Sequence, residues 1–235
     1  LHLSIRRQRQ MCIRDSYYYP KCAVSIFSIR RGTALRLPVK MTLTKSSSYT
    51  RKHNMIHPWE LLDSNDAFHN RWLHVTLDEV LLPDGQSYEY TTIRRDTVGV
   101  AAVVLNERNQ ILLEQEYRHP IGEVTYQLPG GLNAAGEDPA ECIRRELREE
   151  IGVLAGELHY LGRFWNNPAT SNGECLVYLC REFREIGPTE HDAAEFLAWD
   201  WHDLDWVKAK IMDGVIRDRV VVCGLAYLWL SDVIV

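Results

Sequence analysis

The residues with the clearest chemical use lie in one stretch of the chain, residues 131–153. Glu146, Glu149 and Glu150 are three and four positions apart, so on a helix they share one face. Carboxylates this close repel one another unless a cation neutralises them, and their oxygen atoms are the ligands that Mg²⁺ and Mn²⁺ prefer. The stretch therefore predicts a site for a hard divalent cation. A solvated acidic face, neutralised by Arg145 and Arg148, is the alternative.

The neighbouring residues predict the helix that must carry these glutamates. Asp138 is a good N-cap and Pro139 a good first helical residue. Gly152 suits a left-handed C-cap, so the helix runs from about Asp138 to Gly152. Gly130 and Gly131 form a preceding loop whose backbone can approach a ligand closely. Apolar residues recur at helical spacing and predict the buried face: Ala140, Ile143, Leu147 and Ile151.

The order of the defined residues is glycine, five residues, Glu, seven residues, then Arg-Glu-Leu, any residue, Glu-Glu, any residue, Gly-Val. This pattern resembles the Nudix box in full. The resemblance covers about residue 57 to the C-terminus and implies the family's fold, an α/β/α sandwich with a mixed sheet between helices. It also implies the family's reaction, hydrolysis of a nucleoside diphosphate linked to another group. The cofactor so implied is Mg²⁺, for which Mn²⁺ can substitute.

The resemblance implies roles for individual residues. Three glutamates and one carbonyl correspond to the family's metal ligands: Glu146, Glu149, Glu150 and the Gly130 carbonyl. Arg145 corresponds to the box arginine, which orients glutamates through charge-assisted hydrogen bonds, and Glu137 is expected to play a supporting part.

The general base in such enzymes is either a box glutamate or an acid from a distant loop. Glu195 is the first candidate for the distant acid, because it begins a predicted strand after a loop, and Glu190 is the second. We therefore expect catalysis to involve Glu146, Glu149, Arg145 and Glu195.

Residues outside the box indicate the substrate class. Pro168 stands fifteen residues after Val153, an offset that resembles the ADP-ribose pyrophosphatases, although an ordinary loop proline is the alternative. Arg118 ends the segment Gln-Glu-Tyr-Arg, which resembles the strand end where those enzymes place a phosphate-binding arginine. A surface ion pair is the alternative role for Arg118. The resemblance thus implies hydrolysis of ADP-ribose to AMP and ribose 5-phosphate.

Gln127 departs from that branch of the family. The branch has a glutamate before Leu-Pro-Ala-Gly, whereas this chain has Gln127 before Leu-Pro-Gly-Gly, so a charge is lost near the nucleoside or ribose. Trp165 and Phe164 can either stack on an adenine or pack in the core. The alternatives for the substrate are another nucleotide sugar of the GDP-mannose type, a dinucleotide or NADH. A non-catalytic ligand sensor is a remote alternative, which the intact box disfavours.

Apolar patterns predict the remaining elements. An N-terminal β-hairpin is predicted from strands at 72–80 and 88–95, joined by a Pro-Asp-Gly turn. Further strands are predicted at 98–105, 111–117, 123–128, 158–165, 176–182 and 195–201, and helices at 204–212 and 220–230. This alternation of strands and helices predicts the α/β class.

The chain divides into a basic extension at 1–52, an N-terminal β region at 53–96 and the Nudix domain at 97–235. Residues 1–52 hold twelve of the 27 Lys and Arg residues and only one of the 32 acidic residues, Asp15. We expect this segment to be non-native, because residues 7–16 resemble translated sequencing adaptor, which would make Met41 or Met55 the start. A disordered linker and an organelle transit peptide are the alternatives.

Charge and hydropathy narrow the range of partners. The rest of the chain holds 15 basic and 31 acidic residues, which disfavours non-specific binding of nucleic acid. No apolar run is long enough to span a bilayer, so we expect a cytoplasmic protein without a membrane partner. The six cysteines show no metal-ligand spacing and are expected to be reduced. The N-terminal strands resemble those that build a homodimer in the ADP-ribose branch, so we expect a homodimer formed through this region.

Overall fold

The computed structural model describes residues 57–187 and 197–231. The elements below belong to one compact unit, Glu60–Val235. The predicted basic extension at 1–52 lies outside the described residues. The same is true of Glu190 and Glu195, the two acids considered as a distant general base.

The described residues form twelve strands and three helices. The strands are β1 (Glu60–His69), β2 (His74–Leu81), β3 (Ser87–Arg94), β4 (Gly99–Val104), β5 (Gln110–Arg118), β6 (Glu123–Gln127), β7 (Gly130–Leu132), β8 (Val153–Ala155), β9 (Leu158–Trp165), β10 (Glu174–Cys180), β11 (Phe183–Glu185) and β12 (Ala198–Asp203). The helices are α1 (Pro139–Ile151), α2 (Leu204–Met212) and α3 (Arg219–Leu230). The predicted core elements are present with their ends shifted by a few residues. Strands β7, β8 and β11 were not predicted, because three residues are too few to show a period.

Strand β4 lies at the centre of the sandwich, and both of its faces are buried. It pairs in parallel with β10 and antiparallel with β7, in a mixed sheet of order β7-β4-β10-β9. Successive residues of β4 point alternately into two separate apolar clusters. Val100, Ala102 and Val104 pack with α1, whereas Ala101 and Val103 pack with α3. A strand covered on both faces has a continuous apolar sequence. The predicted α/β/α sandwich with a mixed sheet is confirmed.

A second sheet, of order β12-β5-β6, carries two of the four residues predicted to contact substrate, Arg118 and Gln127. Ile111, Leu112 and Leu113 are buried in the first half of β5, and the strand becomes exposed toward Arg118. Strand β6 returns antiparallel and places Gln127 opposite Glu114. The two strands therefore bring Arg118 and Gln127 together directly before the Gly130–Gly131 segment.

The N-terminal region is a three-stranded antiparallel sheet, β1-β2-β3, one strand larger than the predicted hairpin. The hairpin itself is present as β2 and β3, whose turn includes Gly85 at a φ of +84°. Strand β1 was missed because its sequence, ELLDSNDAFH, has no two-residue alternation. Two irregularities in its pairing with β2 interrupt that period. All ten residues of β1 are exposed.

The loop between β9 and β10 is fixed to strand β3 and the residue after it. The backbone N–H of Ile93 donates to the Thr170 carbonyl at 2.7 Å, and the Tyr90 hydroxyl donates to the Ala169 carbonyl at 2.6 Å. The side chain of Asn172 bonds both backbone groups of Arg95, at 2.7 and 3.0 Å. The loop is therefore held in place from the N-terminal sheet.

None of the described helices combines the length and the apolar character needed to cross a bilayer. The described cysteines carry free thiols, as expected. Cys142, Cys175 and Cys180 are buried, and Cys223 is half-buried.

Candidate active site

The Gly130–Gly131 segment lies so close to its neighbours that neither position has room for a side chain. A Cβ added at Gly130, whose φ is +150°, would lie 2.1 Å from the carbonyl oxygen of Val100. A Cβ at Gly131 would lie 2.4 Å from Oε1 of Glu146. The two glycines therefore allow strand β7 to contact β4 on one side and the glutamates of α1 on the other.

Helix α1 presents the box glutamates to this segment, and its ends are those predicted. Asp138 accepts hydrogen bonds from the backbone N–H groups of Ala140 and Glu141, and Gly152 ends the helix at a φ of +66°. Burial of Ile143, Leu147 and Ile151 against β4 fixes the rotation of the helix about its axis. The glutamate face is thereby turned toward the Gly130–Gly131 backbone.

Glu150 is the most buried of the three predicted glutamate ligands. Its Oε2 accepts a hydrogen bond from the backbone N–H of Gly130 at 2.7 Å. This bond ties the last turn of α1 to strand β7, and it orients a carboxylate beside the carbonyl group predicted as the fourth ligand.

Arg145 neutralises the other carboxylates of the box. Its Nε donates to Oε1 of Glu137 at 3.1 Å, and its NH2 lies 3.3 Å from Oε2 of the same residue. Its NH1 lies 3.0 Å from both Glu146 and Glu149. One guanidinium thus bridges three carboxylates.

The ion pairs shift the pKa values of both partners in the directions that stabilise their charges. Hydrogen bonds from Arg145, and a further one from the backbone of Ala134, lower the pKa of Glu137 to about 2. The hydrogen bonds with Glu137, together with the charge of Glu146, raise the pKa of Arg145. Both groups are therefore charged at neutral pH. Burial next to Glu137 and Glu146 raises the pKa of the Cys142 thiol to about 12, so Cys142 is neutral.

The donor set fits a hard divalent cation. Every candidate ligand is oxygen, namely three carboxylates and a backbone carbonyl, and Gly131 leaves the space that the Glu146 carboxylate occupies. Among the described residues, the oxygen atoms of these three carboxylates do not converge on one point. Arg145 holds Glu146 and Glu149 on its own side of the helix, whereas Glu150 bonds the backbone of Gly130. Binding of a cation at this site would require these side chains to rotate away from Arg145.

A cleft of about 150 Å³ opens next to the Gly130–Gly131 segment. It is lined on one side by Arg118 and Gln127 and on the other by Asn166 and Arg219. The Nε of Arg219 donates to Oδ1 of Asn166 at 3.2 Å. Two arginines thus face one cleft beside the box. Arg219 was missed in the sequence, because it lies far from the box and only the packing of α3 on β4 brings it near.

Arg118 takes part in a polar network at the wall of this cleft. Its NH2 donates to Oε1 of Gln127 and lies 3.0 Å from Oε2 of Glu116. Gln127 in turn donates from Nε2 to Glu116 at 2.8 Å. Half of the Arg118 side chain is exposed. The surface ion pair considered as its alternative role is therefore present, and the guanidinium is still accessible from the cleft.

Glu114 lies directly behind this network and is fully buried. Its Oε2 accepts a hydrogen bond from Nε2 of Gln127 at 3.3 Å, and no described residue bonds its Oε1. Burial, assisted by the charge of Glu116 and opposed by Gln127 and Arg118, raises the pKa of Glu114 to about 8. Glu114 is therefore largely protonated at neutral pH. Glu114 follows the apolar run of β5 directly, and no motif indicated a role for it.

Trp165 and Pro168 line a different cavity, of about 330 Å³, between their loop and strand β3. Tyr90 and Thr92 form its opposite wall. Trp165 is 63% exposed, so core packing was the wrong interpretation for this residue. Phe164 packs against the core cluster of α3, as that interpretation required. The four predicted substrate contacts thus fall into two neighbouring cavities rather than one.

Comparison with protein families identifies the domain that contains this site. The family model described as the NUDIX domain matches residues 95–223. The model described as the nucleoside diphosphate sugar hydrolase N-terminal domain matches residues 59–93. The first model covers the box, both sheets of the sandwich and the start of α3, and the second covers strands β1–β3.

Similarity to individual proteins extends beyond the residues that the NUDIX model matches. An ADP-ribose pyrophosphatase of Mycobacterium tuberculosis is 27% identical over 175 residues, covering 72% of this chain and 82% of the relative. The methanol dehydrogenase activator of Bacillus methanolicus is 26% identical over 172 residues, covering 73% of this chain and 92% of that protein. A solved structure of an ADP compounds hydrolase superposes with a TM-score of 0.68 at 20% identity, covering 74% of this chain and 95% of that one.

The fold and the intact box define a hydrolase of pyrophosphate bonds. This chain belongs to the Nudix family, and the resemblance drawn from its sequence is confirmed. It is a Nudix pyrophosphatase, related to the ADP-ribose pyrophosphatases.

Proposed function

We propose that this enzyme hydrolyses ADP-ribose to AMP and ribose 5-phosphate, with Mg²⁺ as its metal ion and Mn²⁺ as a possible substitute. Water attacks one phosphorus atom of the pyrophosphate, the bridging P–O bond breaks, and the bridging oxygen leaves with the other phosphate. The observation that carries the proposal is the cleft beside the box, where Arg118 and Arg219 face the Gly130–Gly131 backbone.

The metal ion would be held by Glu146, Glu149, Glu150 and the carbonyl of Gly130. When bound, a divalent cation offsets the negative charge of the pyrophosphate and lowers the pKa of a coordinated water. Arg145 NH1 lies 3.0 Å from both Glu146 and Glu149, and these carboxylates would turn from it to the ion while Glu137 keeps the guanidinium in place. Glu150 is positioned independently by its bond to the Gly130 backbone.

The proton of the attacking water would be accepted by Glu149 or by Glu195. Glu149 is the more exposed of the two glutamates that Arg145 holds, and its side chain is 30% exposed. Glu195 lies outside the described residues and stays the candidate for a base on a distant loop. Glu195→Gln distinguishes the two, because loss of a general base lowers kcat by about 10²- to 10⁴-fold.

Substrate recognition would begin with the phosphates. Arg118 and Arg219 offer two guanidinium groups to one cleft, and Arg118 can exchange its bond to the neutral Gln127 for one to a phosphate oxygen. The exposed ring of Trp165, next to Pro168 and Tyr90, would stack on the adenine. The cleft alone is smaller than a dinucleotide-sized ligand, so the substrate would extend toward this second cavity.

A second candidate function is hydrolysis of another nucleotide sugar, such as GDP-mannose. The match of residues 59–93 to a nucleoside diphosphate sugar hydrolase domain favours it. Gln127, where the ADP-ribose branch has a glutamate, favours it as well.

A homodimer formed through the N-terminal sheet is also proposed. Strand β1 exposes Leu61, Leu62 and Phe68, each about half or more accessible, although strands of a single-domain protein normally bury such residues. A second copy would cover these side chains. Sedimentation of the wild type should give the mass of two chains, whereas Leu61→Asp combined with Phe68→Asp should give one chain.

A substrate panel tests the proposed reaction. The initial rates on ADP-ribose, GDP-mannose, a dinucleotide and NADH are compared at saturating Mg²⁺, with product identification by chromatography. We expect the highest kcat/KM with ADP-ribose and release of AMP. If GDP-mannose exceeds ADP-ribose, the substrate proposal fails and the second candidate takes its place.

A further inference from the structure

We infer that a divalent transition-metal ion of the zinc type binds between strands β1 and β2, on Asp66, His69 and His74. One ligand atom of each residue, a carboxylate oxygen or an imidazole nitrogen, lies within 4.8 Å of the other two. In the part of the chain that the structure describes, no other set of three potential ligands meets this condition. The site belongs to the N-terminal sheet and is separate from the Nudix box.

An irregularity in strand β1 brings the three side chains to one face. Residues three apart on a regular strand point to opposite faces, so Asp66 and His69 would normally be separated. The pairing of β1 with β2 shifts between Asp66 and Phe68, which adds one residue to β1. Asp66 then pairs with Thr76 and His69 pairs with His74, and these two partners lie two residues apart on β2. Asp66, His69 and His74 therefore share a face.

The hairpin turn fixes the two histidines relative to each other. His69 and His74 lie directly opposite on the two strands, with ring centroids 4.6 Å apart and an interplanar angle of 22°. Between them, the side chain of Asn70 accepts hydrogen bonds from the backbone N–H groups of Trp72 and Leu73, both at 2.8 Å. The Asn70 N–H donates to the Leu73 carbonyl at 2.9 Å. The turn therefore holds both imidazoles in place before any ligand arrives.

The donor set favours a borderline cation over Mg²⁺. Two imidazoles and one carboxylate are ligands typical of Zn²⁺, with a fourth position left for water. The Nε2 of His74 lies 2.6 Å from Oδ1 of Asp66, so these two potential ligand atoms are already adjacent. In a tetrahedral zinc site such donors lie about 3.3 Å apart, so insertion of an ion needs movements of only about 1 Å.

The local charges are compatible with a cation. The side chains of Asp66 and His74 are 66% and 29% exposed, so an ion can reach both from solvent. Two arginines border this region: Arg71 in the turn, whose guanidinium lies 4.5 Å from the centre of the Trp72 ring, and Arg94, which lies opposite His74 on β3. Arg94 is already paired. Its guanidinium bonds the buried carboxylate of Asp78 at 2.7 Å, which neutralises its charge. A bound ion would link the end of β1 to β2, which is the one strand that β1 pairs with among the described residues.

Zinc titration of the full chain tests the inference. Zinc chloride is added to the wild type at saturating Mg²⁺, which occupies the Nudix box, and binding is followed by calorimetry and by the ¹⁵N shifts of the imidazoles. We expect one zinc-binding event that shifts the ring signals of His69 and His74. His69→Asn, His74→Asn and Asp66→Asn should each weaken it by at least about tenfold. Hydrolysis at saturating Mg²⁺ should be unchanged in all three variants.

His159→Asn is the matched control. His159 is also an exposed strand histidine with a carboxylate partner, Oε1 of Glu157 at 3.8 Å, but it belongs to no set of three ligands. Its loss should leave the zinc affinity unchanged. The inference is overturned if the wild type shows no shift of the His69 and His74 ring signals on addition of zinc. It is equally overturned if the three variants bind zinc as the wild type does.

Discussion

The box helix and the proposed substrate cleft differ in how they are assembled. Glu146, Glu149 and Glu150 come from one continuous stretch, whose spacing places them on one face of α1. The wall of the cleft comes from distant segments, with Arg118 on β5, Gln127 on β6 and Arg219 on α3. The proposed chemistry is therefore encoded mainly in one local stretch, whereas the proposed choice of substrate depends on tertiary packing.

The largest effect is expected from removing a box carboxylate. Glu149→Gln keeps the size of the side chain and removes its charge. We expect kcat to fall by about three orders of magnitude, because a bound metal ion lowers the activation barrier by several kcal/mol. Steady-state hydrolysis of ADP-ribose at several Mg²⁺ concentrations measures this loss. Glu141→Gln is the control on the same helix, because Glu141 is exposed and pairs only weakly with Arg144, at 3.4 Å. It should leave kcat close to that of the wild type.

A smaller effect is expected at the cleft. Arg118→Gln removes a charge-assisted hydrogen bond to phosphate, so kcat/KM should fall by about 10- to 100-fold. Arg163→Gln provides the comparison, because Arg163 is an exposed strand arginine that lies 3.6 Å from Glu174 and does not line the cleft. If the two variants have the same kcat/KM, Arg118 does not bind phosphate and only forms its surface ion pair with Glu116.

Glu137 should affect the rate indirectly, through its contacts with Arg145 in the box. Glu137→Gln weakens the two contacts that hold Arg145, so the arginine can move toward Glu146 and Glu149 and compete with the metal ion. We expect about a tenfold loss in kcat/KM. A higher Mg²⁺ concentration should be needed for half-maximal rate, and added Mg²⁺ should restore part of the activity. A loss that Mg²⁺ does not change would argue against this role.

The smallest effect concerns stability rather than rate. Burial raises the pKa of Glu114 to about 8, above its ordinary value of 4.5, so the folded state retains a proton that the unfolded chain has released. The free energy of unfolding of the wild type should therefore decline as pH rises from about 4.5 to 8, by at most about 1.4 kcal/mol per pH unit from this group. Glu114→Gln imitates the protonated acid and should remove this contribution. Urea denaturation of both proteins across that range, without metal, measures the difference, and parallel pH profiles would contradict it.

The same contrast explains which features could be predicted from the sequence. The helix caps Asp138 and Gly152 and the buried run of β4 follow from local patterns, and the structure has them where they were expected. Strand β1 could not be predicted, because its pairing irregularities hide the strand period. Arg219 could not be assigned to the cleft, nor Glu114 to the network behind it, since only the packing of α3 and the pairing of β5 with β6 bring them there.

In the proposed enzyme the box performs hydrolysis and the cleft selects the substrate. The most direct test is the ratio of kcat/KM for ADP-ribose to that for GDP-mannose in the wild type, in Glu149→Gln and in Gln127→Ala. We predict that Glu149→Gln lowers both values by a common factor and keeps the ratio, while Gln127→Ala changes the ratio. Wild-type turnover by Glu149→Gln, or an unchanged ratio in Gln127→Ala, would contradict the account.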